Sequence, residues 1–239
     1  MKLSQKLLCT AAATLLHGTT SLMAADPSPS EIVNKAYLYI GSMDKYAFDA
    51  VVTNDDVQDG KNVIFTHRVS VKVDRPDKLR VDTKGDIKDR SSYINDGLFT
   101  MIDHGFGYYG QLKTDKGIDG TLDTIFEKYG IKAPLAQLIY SDMDKRVRFS
   151  KRKNFGTVTL GDTECDYLAF SDRAKEVHVW IAKGDKPLVK RYIIIDKMTK
   201  GHPRSVTTLK WKSGSGISDS DFVFKAPKDA SKISIQSAN

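Results

Sequence analysis

The sequence predicts a mainly β (α+β) fold, in which helices cover one large, curved, antiparallel sheet of about eleven strands. Three observations lead to this prediction. Val63–Val73 alternates apolar and polar residues, as a long strand with one buried face does. Turn residues such as Arg75-Pro76-Asp77 and Asn95-Asp96-Gly97 then recur at short intervals. Ser30–Gly41 and Asp119–Asp144 instead space their apolar residues as helices do.

The first residues are interpreted as a targeting segment and not as part of the fold. Two lysines precede the apolar stretch Leu7–Leu16, and small residues then lead to the polar Asp26, which is the layout of a secretory signal peptide. The stretch is shorter than the roughly 20 apolar residues that are needed to cross a bilayer. No later apolar segment approaches that length. We therefore expect a cleaved signal peptide over residues 1–25, a single domain over residues 26–239, no transmembrane segment, and a soluble protein in the periplasm.

The opening helix is predicted over Ser30–Gly41, with Ser30 as its N-cap. The apolar period then changes to two over Tyr46–Thr53, which indicates a strand, and Asp55–Gly60 is predicted as a turn. After the long strand Val63–Val73, short links predict a meander of antiparallel neighbours. Its strands are predicted over Lys78–Lys84, Arg90–Asn95, Leu98–Asp103 and Phe106–Leu112.

A helical insert interrupts the strands, with one helix over Asp119–Gly130 and a second over Pro134–Asp144. Phe222-Val223-Phe224 is predicted as a final edge strand, and the tail Ser231–Asn239 is expected to fray. Between the insert and that edge, strands are predicted over Thr157–Leu160, Glu164–Ser171, Glu176–Ala182, Val189–Asp196 and Arg204–Lys212.

The charge and the cysteines exclude several classes of protein. Removal of Lys2 and Lys6 with the signal peptide lowers the formal charge from +7 to +5, which is too mild for a nucleic-acid binder. The basic run Lys145–Lys153 is interpreted as a solvated connector. Cys9 lies too early in the apolar stretch to be lipid-modified. Cys165 then has no partner for an internal disulfide, and we interpret it as a small buried hydrophobic residue.

Short motifs that could indicate a catalytic, nucleotide or metal site do not occur here in the structural context that such a site requires. Gly105–Gly110 matches G-x-G-x-x-G but does not open a helix, so it does not predict a nucleotide site. Asp55–Gly60 lacks the remaining ligands of a calcium loop. The four histidines after residue 25 are not paired at metal-binding spacing, and His67 is expected to be a core residue. We therefore expect no enzyme activity, no metal and no cofactor.

The predicted strands share one apolar face, and the insert Asp119–Asp144 is expected to cover it as a lid. Periodicity leaves two interpretations open: a filled core, or a hydrophobic cavity between sheet and helices that binds a ligand. The candidate ligand-binding residues are Phe48, Phe65, Val69, Val71, Leu79, Val81, Phe99, Met101, Phe126 and Leu138.

Several segments in a fixed order carry a resemblance to a known family. They are Arg75–Arg80, Asn95-Asp96-Gly97, Gly161–Phe170, Trp180-Ile181, Asp185–Leu188 and Asp221–Pro227. In this order, the chain resembles a family of predicted periplasmic proteins that is similar to the lipoprotein carriers LolA and LolB. The resemblance implies an unclosed antiparallel β half-barrel with covering helices, and binding of lipid or acylated protein.

Two functional hypotheses follow from the apolar face and this resemblance. The first is a periplasmic binding or carrier protein for a hydrophobic ligand, either a lipid or an acylated protein. The second is a periplasmic protein–protein interaction module, a sensor or regulator without a small ligand. Such a module would use edge strands or the basic residues Arg146–Lys153 to bind a protein partner.

Overall fold

The computed structural model describes residues 26–115 and 117–238, so the predicted signal peptide lies outside the described residues. Its helices are α1 (Pro29–Gly41), α2 (Ile118–Tyr129) and α3 (Met143–Arg146). Its strands are β1 (Lys45–Gln58), β2 (Lys61–Asp74), β3 (Lys78–Gly85), β4 (Asp89–Asn95), β5 (Leu98–Asp103), β6 (Tyr108–Lys113), β7 (Lys151–Leu160), β8 (Thr163–Ser171), β9 (Lys175–Ala182), β10 (Val189–Asp196), β11 (Arg204–Ser213) and β12 (Ser231–Lys232).

These strands form one sheet in the order β12-β6-β5-β4-β3-β2-β1-β11-β10-β9-β8-β7. Two antiparallel meanders, β1–β6 and β7–β11, are joined where β1 pairs with β11 from Tyr46↔Ser213 to Asn54↔Ser205. The short β12 adds to β6 in parallel. Because β7 and β12 remain as edges, the sheet is not closed into a barrel. The predicted mainly β fold, an open antiparallel sheet with helices, is confirmed.

The hairpin of β1 and β2 pairs continuously from Lys45↔Asp74 to Gln58↔Lys61. Its turn consists of Asp59 and Gly60 alone, with φ of 49° and 73°. Positive φ at both positions is typical of a two-residue type I′ turn, which Asp-Gly favours. The predicted turn over Asp55–Gly60 is therefore too long, because this tight turn lets both strands continue to its edge.

Helix α1 begins before the predicted cap. The Ser28 hydroxyl accepts a hydrogen bond from the Glu31 N–H (3.3 Å), and the Glu31 carboxylate accepts one from the Ser28 N–H (2.7 Å). This capping box requires the acidic residue three positions after the cap, and Pro29 is well placed at the first helical position. Ser28 is therefore the N-cap, and the assignment of Ser30 is wrong.

The second half of the predicted insert is not a continuous helix. Leu135 adopts a left-handed φ of 58°, which interrupts any α-helix through Pro134–Asp144. A single 3-10 turn over Ala136–Leu138 follows, and α3 is only one turn long. Leu135, Leu138 and Ile139 are nevertheless buried, so their spacing reflects burial in an irregular segment and not a helical stripe.

The C-terminal segment also differs from its prediction. Phe222-Val223-Phe224 is not a strand, because Asp219–Phe222 forms a 3-10 helix that buries Phe222. The edge strand is β12, and the chain after it is held in place instead of fraying. The Ile233 N–H donates to the Tyr109 carbonyl (2.8 Å), and the Ala238 N–H donates to the Lys128 carbonyl at the end of α2 (3.0 Å).

At one end of the sheet, which we call the closed end, the side chain of Arg75 joins four segments. Its guanidinium donates to the carbonyls of Ile139 (2.7 Å) and Met43 (3.2 Å) and to the Tyr46 hydroxyl (3.2 Å). It also lies 3.9 Å from the Asp119 carboxylate in α2, and only 10% of the side chain is exposed. Since a buried charge is costly without partners, these contacts fix α2 and the Ile139 segment against the sheet.

We expect Arg75→Met to lower the free energy of unfolding by about 2–4 kcal/mol, because the Ile139 and Met43 carbonyls and the Tyr46 hydroxyl would lose a donor and Asp119 would lose a nearby positive charge. Urea unfolding of the purified protein measures this change. Arg68→Met is the matched control, since Arg68 is exposed on the other face of the sheet, and its cost should stay within about 0.5 kcal/mol. Equal costs for the two variants would contradict the role of Arg75.

Cys165 lies in β8 with no exposed surface, and burial raises the pKa of its thiol. Since the thiolate is the reactive form, the native protein should react with a thiol reagent at least about tenfold more slowly than the urea-unfolded protein. Spectroscopic labelling kinetics in the two conditions measure the difference. Rapid labelling of the native protein, or a monomer melting temperature that shifts with reductant, would show that Cys165 is not a buried, unpaired residue.

Candidate functional site

One face of the sheet, which we call the inner face, and the cover formed by α2 line a partly open cavity of about 660 Å³. Its floor comes from β1–β5 and from β10 and β11. Leu122 and Ile125 of α2 cover it, together with the segment Gly130–Gln137. Ligand sites in proteins measure about 300–1,000 Å³, so the cavity has the volume of a small-molecule site.

The polarity of the cavity changes in steps along the strands, because pairing aligns similar residues. From the closed end outwards, the aligned rows are Leu79–Ile94–Phe99, Val81–Ser92–Met101 and Thr83–Arg90–Asp103. Successive rows are two residues apart, or about 6.6 Å along a strand. The cavity is therefore apolar at the closed end and polar at the opposite end, which we call the open end.

Helix α2 spans the cavity because it is held at both ends. The Ile118 N–H donates to the Pro76 carbonyl (2.8 Å) at the closed end. Gly130 ends the helix in a left-handed conformation (φ 65°), and Ala238 bonds to its last turn through the Lys128 carbonyl. Twelve residues cover roughly 18 Å at 1.5 Å per residue, so α2 extends towards the open end.

The predicted ligand-binding residues do not all lie in one place. Phe48 and Val71 are fully buried in the core beside the cavity, and Leu138 is buried beneath α1, where it lines a smaller cavity. Phe65 is partly exposed, in the part of β2 that pairs with β1 but not with β3. The five that the structure brings together around the large cavity are Val69, Leu79, Val81, Phe99 and Met101.

Phe126 does not face the interior, contrary to prediction, because 52% of its surface is exposed. Helix α2 buries Ile118, Thr121, Leu122 and Ile125, at spacings of three and four residues. Phe126 lies at the edge of that stripe. Ile125, which is 1% exposed, takes the inward position.

The smaller cavity, of about 220 Å³, lies beneath α1. Gln137, Tyr192 and Ile194 line both cavities and so form the partition between them. Burial raises the pKa of the Tyr192 hydroxyl to about 12, against the opposing effect of Thr207 and Gln137. At neutral pH this hydroxyl is therefore uncharged, and with the Gln137 amide it makes the partition partly polar.

The open end carries charged and neutral polar side chains. Arg90 forms an ion pair with Asp103 (2.7 Å), and Lys88 lies in the β3–β4 turn. Burial lowers the pKa of His67, Lys88 lowers it further, and Asp86 partly opposes the shift. The imidazole is thus mainly neutral at pH 7. The prediction that His67 belongs to the apolar side of its strand agrees with its burial.

Sequence reasoning missed the part of the cavity that lies beyond β1. Tyr192 and Ile194 on β10, and Ser205 and Thr207 on β11, line the cavity from the second meander. The alternation of side chains between the two faces of β10 could be predicted from the sequence. The pairing of β1 with β11, which brings the two meanders together, has no local signal.

A serine and a histidine meet on the outer face of the sheet. The Ser91 hydroxyl donates to the Asp82 carboxylate (2.6 Å), and its oxygen lies 2.8 Å from Nε2 of His104. In a catalytic triad the histidine lies between serine and carboxylate and takes the serine proton. Here the serine lies in the middle and directs its proton to Asp82, so the cluster lacks the arrangement of an activated nucleophile.

The basic run Lys145–Lys153 is divided by the fold. Arg146 makes two hydrogen bonds to the Asp123 carboxylate (2.7 and 3.0 Å) and stacks on the Tyr140 ring. Lys151–Lys153 lie exposed on the edge strand β7. Its interpretation as a solvated connector is therefore wrong for Arg146, which attaches α3 to α2.

The fold and the cavity together define an open antiparallel half-barrel covered by helices. The model of a family described as predicted periplasmic protein (DUF2092) matches residues 30–236. The chain belongs to this family, which confirms the resemblance found in the sequence and agrees with a periplasmic location. A search of curated proteins found no match.

Solved structures with a similar arrangement are distant in sequence. An uncharacterized conserved protein from Thermus thermophilus is 13% identical, with a TM-score of 0.48 over 85% of this chain and 97% of that one. The Mycobacterium tuberculosis lipoprotein LppX is 12% identical, with a TM-score of 0.47 over 79% and 96%. A LolA superfamily protein from Nitrosomonas europaea is 11% identical, with a TM-score of 0.38 over 83% and 98%. At these TM-scores, no conclusion about this chain follows from the similarities.

Among the described residues, no helix has both the length and the apolar character needed to span a membrane.

The placement of α2 predicts different costs for two neighbouring truncations. Ile125→Ala should lower the free energy of unfolding by about 2–3 kcal/mol, the lower part of the usual range, because part of its surface faces the cavity. Phe126→Ala should cost less than about 1 kcal/mol, because the ring is half exposed. Urea unfolding of both variants compares them. A larger cost for Phe126→Ala would mean that the opposite face of α2 covers the sheet.

Proposed function

We propose that the protein is a periplasmic binding or carrier protein for a hydrophobic ligand, either a lipid or an acylated protein. The observation that supports this proposal is the cavity of about 660 Å³ between the inner face and α2. A partly open cavity of this volume falls within the range of about 300–1,000 Å³ that ligand sites span. Its largely apolar closed end, beside a well-packed core, suits a hydrophobic ligand.

The lining of the cavity suits an acyl chain. The row Leu79–Ile94–Phe99, with Leu122 and Ile125 opposite, offers apolar side chains to a ligand that enters from the open end. Each methylene group transferred from water to such surroundings contributes about 0.8 kcal/mol. A chain of ordinary length would thus gain enough free energy to offset the loss of its motional freedom on binding.

The alternative function, a protein–protein interaction module, has weaker support. Its candidate surface included Arg146–Lys153, but Arg146 is occupied by Asp123 and Tyr140. The exposed Lys151–Lys153 on β7 remain available to a partner. This module becomes the better interpretation if the purified protein binds no hydrophobic ligand.

A bulky side chain placed in the cavity should block the ligand. Ser92 lies in the middle row between Val81 and Met101 and is partly exposed, so Ser92→Trp fills the void without displacing a packed core residue. We expect the variant to bind a fluorescent fatty-acid probe at least about tenfold more weakly than the original protein, because each lost methylene contact costs about 0.8 kcal/mol. Fluorescence titration measures the affinity, and thermal melting checks that the variant folds.

Thr208→Trp is the control for this experiment. Thr208 is exposed on the outer face of β11, so the same bulky residue there should leave probe binding unchanged. Absence of probe binding by the original protein would refute the proposal. Equal loss of binding in both variants would place the probe outside the cavity.

A further inference from the structure

The charged residues that line the large cavity all have the same sign. Lys88, Arg90 and Lys132 line it, whereas no aspartate or glutamate among the described residues does. The positions of these three residues, and not their number, bear on the charge of a ligand.

The three basic residues are confined to the open end. Lys88 is in the β3–β4 turn, and Arg90 lies in the outermost of the three aligned rows. Lys132 approaches from the cover, in the segment that follows the last turn of α2. The closed end, in contrast, is lined by the row Leu79–Ile94–Phe99. The cavity thus has an apolar end and a cationic end.

The carboxylates near the open end leave part of this charge uncompensated. Asp103 pairs with Arg90, and Asp89 lies 3.8 Å from the Lys84 ammonium. Asp86 accepts a hydrogen bond from the Thr66 N–H (2.7 Å) and keeps its charge. Within residues 26–115 and 117–238, neither Lys88 nor Lys132 forms an ion pair within 4 Å. His67 is neutral for the reasons given above and adds no charge. Two ammonium groups are therefore free to bind an anion.

We infer that the ligand is an anionic amphiphile, whose carboxylate or phosphate group binds between Lys88 and Lys132 while its apolar chain occupies the closed end. This inference rests on the proposed function and adds the class and orientation of the ligand. Ion pairs in partly exposed positions add little affinity, about two- to fivefold each, but they select the sign of the headgroup. Apolar contacts supply most of the binding free energy, and the lysines supply the selectivity.

Isothermal titration calorimetry with three ligands of equal chain length tests this inference: dodecanoic acid, dodecyl phosphate and dodecanol. The original protein should bind both anions about four- to 25-fold more tightly than dodecanol, the product of two such ion pairs. The double variant Lys88→Gln/Lys132→Gln should bind all three ligands with the affinity that the original protein shows for dodecanol. Added salt should weaken only the binding of the anions.

The control variant Lys200→Gln/Lys210→Gln removes the same charge from exposed positions outside the cavity and should behave like the original protein. Inorganic phosphate alone should neither bind nor compete with dodecanol. If it binds the two lysines as tightly as dodecyl phosphate does, the site takes a free anion and the inference is wrong. Equal affinity of the original protein for all three ligands would refute the anionic headgroup but leave the carrier function intact. No binding of any of them would refute the proposed function itself.

Discussion

The buried guanidinium of Arg75 holds the cover of the cavity to the sheet. It binds Tyr46 and Met43 on one side, and Ile139 and Asp119 on the other. A helix with an apolar stripe would otherwise settle onto the nearest apolar surface and fill the space beneath it. Because α2 is anchored at Pro76 and again through Lys128, it bridges the inner face instead of collapsing onto it. These polar anchors therefore fix the position of α2 over the cavity.

The chemical character of the void follows from strand register. Alternation places every second residue of β3, β4 and β5 on the inner face, and pairing aligns them into rows of increasing polarity. A slip of one residue would turn Asp82 and Ser91 inwards and would remove both the apolar end and the cationic end. The same register therefore determines which part of a ligand can lie at each position in the cavity, from Leu79 at the closed end to Arg90 at the open end.

Much of this arrangement was predictable from local pattern, and the remainder depended on distant contacts. Alternation identified the strands and five of the cavity residues, because burial on one face of a strand repeats every two residues. Helical spacing placed Phe126 on the buried side of α2, which is wrong. A broad apolar stripe on a helix does not reveal which of its two edges faces solvent. Tyr192 and Lys132 were missed for another reason: they reach the cavity only through the pairing of β1 with β11 and through an irregular segment after α2.

The central claim is that an amphiphile lies in this cavity with its chain at the closed end and its headgroup at the open end. A crystal structure with 12-bromododecanoic acid tests it most directly, because the anomalous signal of bromine locates the end of the chain. The account predicts a bromine peak beside Leu79, Ile94 and Phe99, with the carboxylate near Lys88 and Lys132. A bromine peak at the open end or on the outer face, or a crystal in which side chains fill the cavity and exclude the ligand, would contradict it.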